Sequence, residues 1–388
     1  MSPGVSNGTT PAETPTARVY IRFDGGLLGS ILPPVVALMI AMVAGDVLIL
    51  AFGESPATVY GLLLEGTWGN WYGFGQVLFK MTTLTCTGLA FALAARAGLF
   101  NVGAEGQLAA GGFAAGLAGL FLPASMPAVL AVPACIAAAM LAGALVGLIP
   151  GALRARFGAS EVIVTIMLNF IVLALLNYLI SAHLAVPETL HTAPMNVGTL
   201  PRLSDSLSVF RGSAANWTIV VTLLAVLASW WYLFNTRGGY ELRAVGLQPE
   251  AAEYGGVRVS RVVVVAMMIS GGVAGLGGIN FVIGYKGYYE EGFAGGSGFL
   301  GIAVALVGRN HPLGILIAAL LFATLSQGGL AVNAIVPKQL VDILQAVVIL
   351  AVATAVPEVQ HQIRKAAAGA IRRLGGAPNA TSTAGKQS

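Results

Sequence analysis

Charge is the scarcest thing in this sequence. Asp, Glu, Lys and Arg make up 9% of the 388 residues, against about a quarter in soluble globular chains. So few cannot cover a water-exposed surface, which excludes an ordinary soluble domain and leaves a polytopic membrane protein. Cysteine is nearly absent. Cys86 and Cys135 both lie inside apolar runs, where they read as small buried hydrophobes and not as a disulfide or metal pair. Histidines 183, 191, 311 and 361 show no ligand spacing, so no metal or other cofactor is expected. No span carries a Lys/Arg stripe with interleaved aromatics, which argues against nucleic acid as a partner. No GxxxxGK followed by Ser or Thr occurs, so the chain has no ATP site of that kind. What is abundant is apolar: 56% hydrophobic residues and 51 glycines, a composition suited to close helix packing in lipid.

One stretch interrupts the apolar pattern. Arg96 to Phe113 reads RAGLFNVGAEGQLAAGGF, with Asn101, Glu105 and Gln107 set among five glycines. The apolar run behind it, Leu108 to Leu122, is too short to cross a bilayer, which takes roughly 20 helical residues. A short helix preceded by glycine-rich polar backbone is a broken span. Such backbone survives at membrane depth only where protein buries it or a watery cavity borders it. The segment is therefore expected to line a transport route.

Read in order, residues 1–24 form a polar, disordered cytoplasmic tail and residues 25–358 a transmembrane domain. About ten helical spans are expected. They run Leu27–Phe52, Gly75–Ala95, the short span to Leu122, a span ending at Pro150, Val162–Ala182, Trp217–Phe234, Val262–Ile283, the short Phe299–Val307, a span ending near Ala331, and Leu340–Val356. Glu54 to Phe74 is expected at the interface, and residues 359–388 form a basic, partly disordered tail. With ten spans, Arg96, Arg154, Arg156, Arg237, Arg243, Arg258, Arg261, Arg309 and the terminal basic clusters fall on one side. The positive-inside rule then places both termini in the cytoplasm.

A second broken segment, Lys286 to Gly298, matches the first. Setting Glu105-Gly106 over Glu291-Gly292 also superposes Gly98 on Gly284 and Gly112-Phe113 on Gly298-Phe299. The first repeat covers about 75–183 and the second about 262–356, and they enter the membrane from opposite sides. The expected architecture is thus all-α, with two inverted repeats and broken helices meeting near the midplane. The competing explanation is chance likeness among glycine-rich apolar strings.

Buried ionisable residues are few (Lys80, Glu105, Glu161, Glu290, Glu291 and Asp342) and mostly near span ends, thin support for proton coupling. The stretch 236–261 is a better lead to the energy source. Pro249, then Glu250-Ala251-Ala252-Glu253-Tyr254 and the stop Gly255-Gly256, describe a short exposed helix. From the residues alone it either docks into a partner's groove or contacts nothing.

Four ordered motifs carry a resemblance: GLFNVGAEGQ from Gly98, SEVIVTIMLN from Ser160, AVGLQPEAAEYGGV from Ala244 and GFLGIAVALVGRNHPLG from Gly298. Over roughly Leu27 to Val356 the chain resembles permease subunits of bacterial ABC importers, in the nucleoside/simple-sugar branch of the ribose and branched-chain amino acid permease superfamily. The resemblance implies an inner-membrane complex that contains ATP-binding cassette ATPase subunits, a second and often different permease, and an extracytoplasmic substrate-binding protein. It implies that the cytoplasmic loop couples to the ATPase, through Arg243, Glu250, Ala251, Ala252, Tyr254, Gly255 and Gly256. The expected function is translocation of nucleosides or related simple sugars by alternating access, with no ATPase site in this chain. The expected pathway residues are Asn101, Gln107 and Asn169 as hydrogen-bonding groups and Phe100 and Phe293 as apolar faces. Glu105 and Glu291 join them in a structural part, accepting backbone N–H bonds at the short helices' positive ends. The reading from another class is an ion-coupled secondary transporter, with Glu105 as the titrating carboxylate.

Overall fold

The computed structural model describes Met39, residues 42–333 and most of 335–350. Both tails, the start of the first span and much of the last therefore lie outside the described residues. Those described are almost entirely helical, with three isolated β-bridges and no strand. Helix α1 (Met42–Ala51) meets α2 (Pro56–Thr67) at 112°. Then follow α3 (Trp71–Arg96), α4 (Ala104–Phe121), α5 (Ala128–Phe157) and α6 (Glu161–Leu179), the last extended by a π-turn to Leu184. A long loop holds the one-turn α7 (Leu203–Ser206). The second half has α8 (Thr218–Asn235), α9 (Arg237–Leu247), α10 (Pro249–Tyr254) and α11 (Val259–Gly277), which runs on through α12 (Ile279–Phe281) and a π-turn to Lys286. Last come α13 (Ser297–Val307) and α14 (Pro312–Val332).

Six of these helices are long and apolar enough to cross a membrane, or seven if the bent α1–α2 pair is one span. The ten spans expected from the sequence include two that do not qualify alone. α13 has 11 residues, and α4 carries Glu105 and Gln107 in its first turns. A further difference lies at Pro150, where the sequence pattern ends a span. The structure carries α5 through both Pro133 and Pro150 to Phe157, with Gly158 closing it in a left-handed turn at φ 66°. Proline removes one backbone donor, and membrane helices tolerate this where packing keeps them straight.

That packing comes from small residues. Gly143 and Gly147 on α5 face Gly271 and Gly275 on α11, and a Cβ on Gly143 or Gly271 would overlap the other's carbonyl oxygen. Two small-xxx-small stripes thus bring the helix backbones into contact, the arrangement that lipid favours. α3 and α11 are mostly buried and form the centre, whereas α5, α6 and α8 turn most of their surface outward. Exposed Ile163, Met167, Ile171 and Leu175 make the outer stripe of α6. The loop after α6 is stitched across the second break: Thr192, Met195 and Leu200 donate backbone bonds to the carbonyls of Tyr289, Gly287 and Ile283.

Candidate functional site

The first break begins where α3 stops at Arg96 and Gly98 turns left-handed at φ 74°. Its non-helical backbone, residues 99–103, leaves polar groups without helical partners, and three side chains answer them. Asn101 is fully buried. Its Nδ2 donates to Gln107 Oε1 at 2.9 Å and Ser270 Oγ at 2.7 Å, and its Oδ1 accepts from Gly103 N–H at 2.9 Å and Gln107 Nε2 at 3.2 Å. Asn169, from α6, accepts from Gly106 N–H and donates to the Val102 carbonyl, both at 2.9 Å. Thr165 accepts from Val102 N–H at 3.3 Å. The expected groups Asn101, Gln107 and Asn169 are thus brought together, but their donors and acceptors are occupied by the break itself. These three buried amides each have protein partners, as polar side chains buried beside irregular backbone require.

Glu105 reaches across to the other half. Its Oε1 accepts from Gly296 N–H at 2.8 Å and its Oε2 from Gly298 N–H at 2.6 Å. Both donors are free N–H groups at the start of α13, where a carboxylate also meets the positive end of the helix dipole. Gly298 is required there, since a Cβ would overlap the Glu105 backbone. Glu105 therefore caps the opposite half's short helix and not its own. Glu291 does not join this cluster. Its backbone N–H bonds to Leu190, while the neighbouring Glu290 pairs with Lys286 at 3.3 Å.

Between α3, α12, the second break and α14 lies a cavity of 290 Å³. Phe293 lines it, stacked on Phe281 with ring centroids 5.0 Å apart and planes at 25°. Phe79, Lys80, Thr83, Ser297 and Ser326 supply the rest of its character. The Lys80 ammonium donates to the Ser326 carbonyl and hydroxyl oxygens, each at 3.2 Å. Phe100 is not part of this wall; it stands edge-on to Phe91, with centroids 4.8 Å apart. Behind the cavity Asn280 joins three elements. It donates to the Phe79 carbonyl at 2.8 Å and Thr83 Oγ1 at 2.9 Å, and accepts from Asn216 at 3.0 Å and Thr218 at 2.8 Å. An apolar stacked pair beside hydroxyls and one ammonium suits a small, hydroxyl-bearing solute with a flat face. Sequence reasoning missed Phe281, Ser326 and Asn280 as cavity parts. Only Lys80, a lone cation within an apolar span, gave a signal.

The cytoplasm-assigned loop folds as α9 and α10. Tyr254 is 98% exposed and Leu247 89%, and Glu250, Ala251, Glu253, Gly255 and Gly256 are exposed too. Ala252 is the one α10 residue turned inward. Arg243 points back instead of out, its guanidinium 5.3 Å over the Phe234 ring. α9 rests directly on the first break. A Cβ on Gly246 would lie 2.8 Å from the Arg96 carbonyl carbon and 3.0 Å from that of Ala97, and one on Gly98 3.3 Å from Gly246 Cα. Nearby, Arg96 Nε donates to the Asn310 carbonyl at 3.1 Å. Burial, and after it the Arg96 charge, lower the pKa of His311. α10 is thus joined to the α3–α4 break through one helix and a close glycine contact.

Residues 73–353 match the family model described as "Branched-chain amino acid transport system / permease component". The guanosine ABC transporter permease protein NupP of Bacillus subtilis is 37% identical over 335 residues, 84% of this chain and 94% of the relative. The nucleoside ABC transporter permease protein NupB of Lactococcus lactis is 34% identical, covering 83% and 90% of the two chains. The glucose ABC transporter permease protein TsgB13 of Haloferax volcanii is also 34% identical, covering 82% and 85%. With its bundle of apolar helices, polar breaks and lack of an ATP-binding motif, the chain belongs to this permease family: it is a multi-pass permease subunit of an ABC importer, without an ATPase domain of its own.

Proposed function

We propose that this permease carries nucleosides or related simple sugars inward across the bacterial inner membrane, by alternating access, through the cavity at the second break. The observation that carries the reading is that cavity's lining. A stacked Phe281–Phe293 pair lies beside Thr83, Ser297 and Ser326. A base or a sugar ring can lie on the aromatic faces while its hydroxyls meet the polar side. The relatives named for guanosine, nucleosides and glucose favour the same solutes.

The full bundle on this reading has ten spans in two inverted repeats, with α4 and α13 as half-spans that meet near the midplane. What supports the repeat is the shared order of long helix, break, short helix and long helix in α3–α4–α5 and α11–α13–α14. Both termini lie in the cytoplasm, on the side of Arg96, Arg243 and Arg309. A partner ATPase grips α10 through Glu250, Ala251, Tyr254 and the Gly255-Gly256 stop, and its closure moves α9 against the first break. A second permease completes the pathway; Bacillus subtilis NupQ, also named a guanosine ABC transporter permease, is 30% identical over 242 residues. An extracytoplasmic binding protein delivers substrate to the face covered by the loop after α6. Asn101, Gln107 and Asn169 shape the pathway by holding the break, and Phe293 touches solute.

The test is radiolabelled uptake by cells with the complete transporter, competed by nucleosides, pentoses, hexoses and branched-chain amino acids. Nucleosides or sugars should compete, and uptake should require the ATPase. Competition by branched-chain amino acids alone, or uptake driven by an ion gradient without the ATPase, would overturn the reading.

A further inference from the structure

A larger cavity, 520 Å³, opens at the start of α11, the opposite end of that helix from Phe281. Its lining carries three guanidiniums, those of Arg237 on α9 and of Arg258 and Arg261 where α11 begins, against one carboxylate, Glu241. That carboxylate is committed to Arg237, whose Nε donates to it at 2.8 Å. Arg258 and Arg261 are exposed, and among the described residues neither has an ion-pair partner. Two like charges thus face one space, where they repel until an anion lies between them. The floor beneath them is apolar, built from Val257, Val262, Val265 and Ala266. Trp230 and Trp231, near the end of α8, and Tyr240, on α9, are exposed, as the aromatic belt at a membrane–water boundary is.

We propose that this cavity is a binding site for the phosphate headgroup of an anionic phospholipid such as phosphatidylglycerol. Arg258 and Arg261 offer planar forks of N–H donors that match phosphate oxygens. The Tyr232 hydroxyl, on the α8 wall, is a further donor. A soluble phosphate compound shares that chemistry, but the apolar floor and the aromatic belt favour a ligand that continues into hydrocarbon. Basic pockets between membrane helices on the cytoplasmic side take such headgroups. A headgroup seated here bridges α9 and α11, the two helices that flank α10. The inference rests on the reading above only in placing this end of the bundle at the cytoplasmic surface.

The test measures retention of headgroup-labelled phosphatidylglycerol by the purified complete transporter, in mixed micelles with phosphatidylcholine. Wild type should retain phosphatidylglycerol in preference to phosphatidylcholine. Each basic residue beside an anionic headgroup raises binding about fivefold, so Arg258→Gln with Arg261→Gln should weaken retention on the order of thirtyfold. Val265→Phe fills the floor without altering charge and should weaken it several-fold; if the glutamine pair does not assemble, this variant decides alone. Arg154→Gln with Arg156→Gln removes as much charge outside the cavity and should change nothing. No preference in wild type, or equal losses in the two arginine pairs, overturns the proposal. So does displacement of the labelled lipid by millimolar glycerol phosphate or inorganic phosphate, which would mark a site for a soluble anion. Loss of the ATPase from the Arg258/Arg261 pair with lipid retention intact would give these arginines to the partner subunit and overturn it too. Retention is read without transport, so a failed solute reading leaves it standing, and lost retention leaves the solute reading standing. Labelling of Tyr254→Cys by a membrane-impermeant maleimide, from inside or outside, checks the side separately.

Discussion

Replacing Gly246 with alanine puts a methyl group where the first break already has backbone. The new Cβ would overlap the Arg96 carbonyl oxygen and lie 2.8 Å from its carbon and 3.0 Å from the Ala97 carbonyl carbon. Neither neighbour is a side chain that can rotate away. Overpacking of this sort costs about 1–3 kcal/mol, offset by at most about 1 kcal/mol from alanine's better helix propensity. Because the overlap is with backbone, the upper part of that range applies, about 2–3 kcal/mol before the offset. A net cost of about 1–2 kcal/mol therefore remains, and α9 must lift from the break to relieve it. If that contact passes the ATPase stroke to the broken helix, the same energy shifts the transport cycle about 5- to 30-fold. The assay measures ATP-dependent uptake and ATP hydrolysis side by side in the reconstituted complex. Uptake per permease should fall within that range while hydrolysis persists, and Gly246→Val should be worse. Gly61→Ala serves as the control: it is an exposed helical position with nothing within 4 Å of the added Cβ, and it should be neutral or slightly stabilising. Wild-type uptake and thermal stability in both Gly246 variants would refute the reasoning.

Asn101→Ala strands Gly103 N–H and the Gln107 side-chain amide in a buried site, at about 1–3 kcal/mol for each unsatisfied group; thermal unfolding in detergent should drop clearly, and an unchanged midpoint would contradict the network. Glu105→Gln removes a charge-assisted acceptor from the α13 cap and should cost about 1.5–3 kcal/mol. Its residual uptake should be as indifferent to a protonophore as that of wild type, whereas a proton dependence in wild type that vanishes in the variant would favour the ion-coupled transporter. Replacing Glu250 to Gly256 with a Gly/Ser linker should leave the isolated permease's stability nearly unchanged, since only Ala252 is buried there, yet abolish ATP-driven uptake. Phe293→Ala removes one ring of the cavity's stacked pair and should raise the KM for uptake several-fold with less effect on the maximal rate; an unchanged KM would place solute elsewhere.

Much of the molecule could be read locally. Runs of apolar residues give helices because lipid leaves backbone groups no other partner, so α3, α6, α8, α11 and α14 fall close to their expected limits. The breaks were visible as Asn, Gln, Glu and Gly where the hydrophobic run should continue, and α10 as Pro249 at one end and Gly256, at φ 83°, past the other. These signals need only a few neighbouring residues, and the membrane amplifies them. Pro150 misled for the complementary reason: a local breaker was overruled by the glycine seam between α5 and α11, which no window around Pro150 contains.

Which group answers which was decided only in three dimensions. The sequence by itself determined that polar, glycine-rich backbone would interrupt the apolar helices and would have to be satisfied. The tertiary structure decided that Asn101 is held by Ser270, 169 positions away, and that Glu105 caps a helix whose Gly296 lies 191 positions on. It also placed Lys80 beside Ser326, 246 positions distant, and seated Gly246 on Arg96. Helix formation is set by bonds between residues four apart, so composition and order suffice to foresee it. Cavities, caps and couplings depend on which helix faces come to rest together, a property of the packed bundle as a whole.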